Sequence, residues 1–573
     1  MAGVGKNVRR RNGKFASCEP CRKDKLSLTV KQGYRTDTKL GQTQSRSKGR
    51  IENRHRAKRL RVTLRLKHPC LQVAEILRWL KDLPIIEHLV QEYYRLSQSA
   101  AIPAPFILNV LASLLGDTTT ATSVLNNTSK RLTIPPTTEG SGFHELFTSR
   151  QLRLEIIAII GAIAGKASCF ALAHSKVSRH FGPDYQARFP RRMMTIIWLR
   201  NGKLTNGPCI GSTTGHRLGE LSTTLFELGL HRESKDLPIF LAETRRRIFA
   251  AAYQLDKTVA TFLGRPPRIS IRHSDCKPPL DLADEILTVD NAHLQLITRT
   301  LDVSGWNLQE PPVFQRASWI RVRFELSTLR EEILELSLRP PSADTAAQLR
   351  NISFRSRKTW SSLPKHLRTP ATAWREPDTL SVSARLMLTV TLLTHLYDDF
   401  LVQRLLLRED NQAQGPLLKV SAQILSTVLT LGTYGEVATV DLRRDFILAI
   451  LLYGFPSASV LVKALQTQSR TGQPLPYAGS RAALIRDLGV FLSHLESIAK
   501  TDKVHGLLCE RTSKVLLQIL DEVLESGLSS APFAPSEIGD LPDLISDGLG
   551  LLGDEMDFWG SVEPGIVFDQ WIL

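Results

Sequence analysis

Apolar residues recur at helical spacing from Leu71 almost to residue 525, and strict two-residue alternation is rare. That pattern suits helices packed through one apolar stripe and leaves little room for a sheet, whose side chains change face at every residue. The fold class expected is therefore all-α. Two early segments, L-Q-V-A-E-I-L-R-W-L (71–80) and I-I-E-H-L-V-Q-E-Y-Y-R-L (85–96), carry the helical period, with Pro84 opening or kinking the second. Residues 71–116 read as a helical linker region. Residues 117–142, rich in Thr, Ser, Asn, Gly and Pro, read as a loop, and 143–525 as the main helical domain.

The best-formed helices lie between 217 and 264. In R-L-G-E-L-S-T-T-L-F-E-L-G-L-H, the residues Leu218, Leu221, Leu225 and Leu228 share one face, and Gly229 or the turn after His231 ends the helix. The next run places Ile248, Ala252, Leu255, Val259 and Phe262 on one buried stripe, stopped by Gly264 and the Pro266-Pro267 pair. The longest uncharged stretch, Phe446 to Val462, contains Gly454 and Pro456. It reads as a buried helix, a break and a second helix rather than a membrane span.

Charge divides the chain in three. Residues 1–67 carry 21 Lys and Arg against 4 Asp and Glu, whereas 515–573 carry 12 acids and no Lys or Arg. The basic arm, 1–70, lacks sustained periodicity and is expected to be mostly disordered. Its cluster R-H-R-A-K-R-L-R (54–61) suits nuclear import, so the nucleus is the expected location. The tail, 526–573, interleaves acids with Leu, Ile, Phe and Trp. It reads either as a segment that binds coactivators or chromatin proteins, or as a terminal helix burying Phe558 and Trp559. Seven scattered cysteines make no disulfide framework.

Residues 217–287 resemble the middle homology region of the fungal zinc-cluster transcription factors. The words that carry the resemblance are L-G-E-L-S-T-T-L-F-E-L-G-L-H-R-E (218–233), E-T-R-R-R-I-F-A-A-A-Y-Q-L-D-K (243–257), L-G-R-P-P-R-I (263–269), Asp275 and P-P-L-D-L-A-D-E (278–285). Y-G-F-P-S-A-S-V-L (453–461) is similar to a later helix pair of the family. The resemblance implies a non-catalytic helical regulatory domain, RNA polymerase II regulation, DNA as a partner, and homo- or heterodimers.

The N-terminus resembles the family's DNA-binding module in part. Cys18 and Cys21 match the first two zinc ligands, and Arg22, Lys23 and Lys25 match the DNA-contacting stretch. The family's third cysteine falls at Leu28, and the next cysteine in this chain is Cys70. A structural zinc site needs about four ligands, so two cysteines do not hold one ion alone. His68 and Cys70 are the other candidate ligands, at a spacing unlike common pairs. The loss of agreement after Leu26 is what a skipped splice site or a shifted frame over 27–70 produces. The alternative reading is a helical interaction or chromatin-associated protein without specific DNA binding.

Other constellations carry less. Arg245, Arg246 and Arg247 read as a solvated face paired with acids such as Glu243, or as a phosphate contact. G-A-I-A-G-K-A (161–167) is one residue short of a phosphate loop and has Ala167 where a hydroxyl belongs. His273, Asp275 and Cys276 are close in sequence only, and His216 and His231 read as packing or capping residues. No catalytic centre is expected.

Overall fold

Pro84 stands at the second residue of Leu83–Leu96 (α1), where its missing N–H costs no helical bond. The computed structural model describes residues 73–525, apart from 75, 79–81, 99, 115–119, 172–213, 235, 369–379, 409–413, 436–445 and 502–504. All the described residues belong to one unit, Pro69–Leu573, and none of them lies in a β-strand. Cys18, Cys21, Arg22, Lys23, Lys25, His68, Cys70 and the acidic tail lie outside the described residues.

Helices Ala104–Leu114 (α2), Ala121–Ser129 (α3) and Leu154–Ala171 (α4) share one apolar core with α1. Leu89, Val90, Val110 and Ala164 are wholly buried in it. The described part of 71–116, expected as a linker, thus shares a core with α3, the segment around Phe147 and α4. The expected loop at 117–142 also needs correction, because α3 lies inside it. Thr120 caps α3 by accepting from the Ser123 N–H, and Val124 is wholly buried. The polar residues that made the stretch look like a loop bond to its neighbour instead. Asn127 donates to the carbonyls of Arg150 and Leu152, and Thr128 Oγ1 accepts from Leu154 N–H at the start of α4. The G-A-I-A-G-K-A run lies wholly inside α4 and forms no loop.

Thr214–Glu227 (α5) ends as expected at Gly229, which has φ of 60°. Leu230 N–H bonds to the Leu225 carbonyl and Gly229 N–H to that of Phe226, a pairing that closes the last turn. Leu218 and Leu225 are buried, but Leu228 sits past the last turn and is exposed. Ile239–Leu263 (α6) ends at Gly264, also in the left-handed region with φ of 59°. Its expected stripe is only partly right. Ala252 and Val259 are buried, whereas Ile248, Leu255 and Phe262 are half-buried. Its most deeply buried residues, on more than one side of the helix, include Phe240, Glu243, Arg247, Phe249, Tyr253, Asp256 and Lys257.

After Asn291–Thr298 (α7), whose first turn is capped by Asp290, the chain enters Arg316–Leu338 (α8). This helix is surrounded: it packs against α6, against Thr345–Ser362 (α9) and against Val382–Leu407 (α10), and buries residues on every side. Gln414–Gly435 (α11), Phe455–Thr471 (α12), Arg481–Thr501 (α13) and Gly506–Glu525 (α14) build the largest apolar core with α10. Leu425, Val428, Leu461, Phe491 and Leu495 are wholly buried there, each contributing about 1.5–3 kcal/mol. No break separates two helices near Pro456. The helix runs on from Phe446 to Thr471 through a π-helical turn, Ile450–Gly454, so the extra residue is absorbed without a loop. Gly454 in that turn lets the Phe491 ring pack close, since a Cβ there would lie 2.7 Å from it. By length and composition this helix is apolar enough to cross a membrane, but two thirds of its most apolar 18-residue stretch is buried inside the protein.

His395 on α10 stacks on Trp360 of α9, with ring centroids 4.5 Å apart and planes 4° from parallel. Burial lowers its pKa from 6.5 to about 4, with Asp399 pulling the other way. Between those two values the unfolded chain binds more protons than the folded one. The stability His395 supplies is therefore complete above pH 6.5 and is lost as pH falls toward 4, by roughly 2–3 kcal/mol. His395→Phe, which keeps a stacked ring, is expected to lose less stability than the parent between pH 7 and 4. Equal losses in urea titrations at the two pH values would remove His395 as the cause.

Candidate functional site

The packed contact between α6 and α8 holds charges that a periodicity reading assigns to the surface. Three connected groups of side chains account for them, and each draws on residues far apart in sequence.

The first is built on Asp284, in the loop after α6. Arg247, with no exposed surface, donates Nε to Glu243 (3.3 Å), Nη1 to Asp284 (2.6 Å) and Nη2 to the Leu282 carbonyl (2.8 Å). The other oxygen of Asp284 accepts from Arg316 Nη1 (3.0 Å) and from Ala104 N–H at the start of α2 (3.1 Å). Arg316 also donates to the carbonyls of Ser97 and Tyr94. Asp284 thereby ties α6, α8 and the N-terminal helices to one carboxylate. Burial pushes the Glu243 carboxyl up in pKa, opposed by Arg247, the Leu280 N–H and Arg246.

The second group surrounds Lys257, which is 1% exposed. Its Nζ donates to Asp256 (2.8 Å) and to the Ile269 carbonyl, lies 3.6 Å from Glu331, and sits 4.0 Å from the centre of the Tyr253 ring. Asp256 accepts from the N–H groups of Arg268 (3.0 Å) and Ile269 (2.9 Å). The Gly264 to Pro267 corner is thus fastened to the helix it follows. Glu331 accepts from Ser270 Oγ (2.6 Å), Ile271 N–H (3.2 Å) and the Tyr253 hydroxyl. Burial pushes the Glu331 carboxyl up, but Lys257, Ser270, Tyr253 and Ile271 together hold it below its ordinary value.

The third group borders a small cavity of about 50 Å³ between α6, α8, α10 and the π turn. Arg330 pairs with Asp398 and donates to Thr261 Oγ1 (3.4 Å). Arg323 donates Nε to the Trp319 carbonyl (3.3 Å), and burial lowers its pKa to about 10. Burial raises Asp398 to about 6 against the pull of Arg330. The cavity has room for about three water molecules. Its hydroxyls at Thr258, Thr261 and Thr394 each donate to a carbonyl one turn back.

The remaining sequence candidates are structural in these surroundings. The expected pairing with Glu243 holds for Arg246 and Arg247, but Arg247 and Glu243 are buried rather than solvated. Arg245 donates to the carbonyls of Leu228 and Gly229, Arg246 pairs with Glu233 and lies 3.6 Å from Glu243, and Arg247 is buried as described. Asp275 accepts from Glu233 N–H, and burial raises the Cys276 thiol to about 12, which leaves it inert at neutral pH. His231 packs edge-on against Phe226. Among the described residues no cluster of His, Cys, Asp or Glu is arranged to hold a metal.

Sequence reasoning missed the pairs Arg247–Asp284, Lys257–Glu331 and Arg330–Asp398. One signal was available: Glu243 and Arg247 stand one turn apart beside the apolar run at 248–252, where a solvent-facing pair is out of place.

The stretch that supplies Glu243, Arg247, Asp256, Lys257 and Asp284 is also the one that other proteins share. Residues 220–302 match the family described as the fungal specific transcription factor domain. Over 69 residues, 12% of this chain, the sequence is 39% identical to a protein of Aspergillus flavus named Transcription factor lepE. That match spans 8% of the relative's own length. No solved structure matches the chain.

Proposed function

We propose that this chain regulates RNA polymerase II transcription in the nucleus, with its helical unit as the regulatory domain and its basic N-terminal segment meeting DNA. The observation that carries this reading is the match of residues 220–302 to a transcription-factor domain, over the stretch that also forms the buried charged centre. The similarity to a relative named a transcription factor supports it. In this reading Arg22, Lys23 and Lys25 contact phosphate or bases, and the acidic tail engages coactivators or chromatin proteins. The residues present do not fit the family's zinc cluster: residues 1–69 contain only Cys18 and Cys21, where each ion needs about four ligands. Binding by the basic arm is therefore expected to be sequence-indifferent and to weaken steeply with salt.

The test is chromatin occupancy and transcript levels in cells carrying the tagged full chain, the R22A/K23A/K25A variant, or no copy. Promoter enrichment, changed transcripts on deletion, and lower occupancy of the triple variant are expected. Unchanged transcripts on deletion, or a chain excluded from the nucleus, would overturn the proposal.

A second reading has its own observation, Leu28 at the position of the third cysteine. It makes the chain a helical interaction protein brought to chromatin by a partner. Under that reading the triple variant keeps full occupancy, and the purified chain leaves no footprint on naked DNA.

A further inference from the structure

Arg247, Lys257 and Arg330 are buried cations with a carboxylate each, and Arg323 is a buried cation without one. Only 4% of Arg323 is exposed. Its Nε reaches the Trp319 carbonyl, while Nη1 and Nη2 have no acceptor among the described residues. Neither Nη atom is sealed inside the protein, and Arg323 lines the cavity of about 50 Å³ between α6, α8, α10 and the π turn. The open edge of its guanidinium therefore belongs to that space. Burial holds its pKa down at about 10, and the group pulling the other way is the Tyr453 hydroxyl rather than a carboxylate. A charge this deep is ordinarily paired, since leaving one uncompensated is costly.

The rest of the lining decides what can pair with it. Asp398 is a lining acid, but its Oδ1 takes Arg330 and its Oδ2 is closed off from the space. Asp256 and Glu331, which hold Lys257, do not line it. The Ser327 hydroxyl gives its proton to a backbone carbonyl, as the lining threonines do. Leu326, Val390 and Leu452 add apolar surface from α8, α10 and the π turn. A water needs about 10–15 Å³ by this measure, so the cavity holds about four non-hydrogen atoms. A guanidinium with both Nη groups free offers the fork that the two oxygens of one carboxylate fill. The apolar neighbours suit a short carbon end.

From this geometry we infer that the cavity is a binding site for a small monocarboxylate, the size of acetate, whose oxygens accept from Nη1 and Nη2 of Arg323. The guest would touch α6, α8 and α10 together, so its binding would favour their packing. The site is independent of any role in transcription.

The test is saturation-transfer NMR on the methyl protons of acetate with the full chain. Acetamide has the same shape and no charge. Pivalate has the charge and too much bulk, and it also reports loose attraction to surface cations, which is indifferent to size. Acetate is expected to bind saturably and about 10-fold or more tighter than acetamide, the worth of a charge-assisted hydrogen bond. Pivalate should not displace it. Arg323→Met should abolish acetate binding. Thr258→Phe keeps the arginine and fills the space from α6; it should remove acetate too, and serves alone if circular dichroism shows the methionine variant unfolded. Absence of saturable acetate binding, equal affinity for acetate and acetamide, displacement by pivalate, or binding that survives either folded variant would each overturn the inference.

Discussion

Replacing Asp284 by alanine is expected to destabilise the chain by about 3–5 kcal/mol, because it removes the carboxylate from buried cations that remain. Arg247 has no exposed surface and would keep only Glu243 and the Leu282 carbonyl. Arg316 would keep its two carbonyls and no charge partner through Asp284, and the Ala104 N–H at the start of α2 would lose its acceptor. The damage should be directional. Asp284 is the point where the N-terminal helices are fastened, so amide exchange in α1, α2 and α4 should accelerate before exchange in the α10–α14 core. Asp284→Asn keeps an acceptor for Ala104 without the charge and should fall between parent and alanine variant. A urea midpoint for Asp284→Ala matching that of the parent would refute the account of this residue.

Lys257→Met should cost a similar amount for the opposite reason. The methionine fills comparable space, but Asp256 and Glu331 then face each other's surroundings with no cation between them. Asp256 retains the N–H groups of Arg268 and Ile269, and Glu331 retains Ser270, Ile271 and Tyr253, so the loss should stay near 3–5 kcal/mol. Adding Glu331→Gln to Lys257→Met removes one of the orphaned charges. The double variant is therefore expected to be more stable than the sum of the two single losses predicts, with a coupling of about 1–3 kcal/mol. Strict additivity in matched urea titrations would show that lysine and glutamate do not act as a pair.

The fold class was legible because long runs of helical period need no knowledge of partners. Gly229 and Gly264 end their helices where their backbone freedom makes that cheap, and Pro84 sits at the start of its own. What stayed hidden depends on tertiary context. α3 looked like a loop because its Asn and Thr side chains serve α4 rather than solvent. The surrounded helix α8 shows no single stripe, since Arg321, Arg323, Arg330 and Glu331 lie inside with its leucines. A buried charge is intelligible only with its partner, and these partners stand 37, 68 and 74 residues away for Arg247–Asp284, Arg330–Asp398 and Lys257–Glu331. The residues proposed to meet DNA precede the described part of the chain, so their reading rests on the sequence alone.

The charged centre also bears on how such a chain can drift. An apolar core tolerates exchange of one hydrophobic shape for another if volume is kept. A carboxylate that must satisfy two guanidinium groups and a backbone N–H has no near equivalent, and a step at one position is closed until its partners change as well. Glu243, Arg247, Asp256, Lys257 and Asp284, half of the charges in the three groups, lie within residues 220–302, the stretch that matches the family domain. The apolar positions of the helices beyond α8 can exchange one hydrophobic residue for another of like volume, whereas Asp398 on α10, paired with Arg330, cannot.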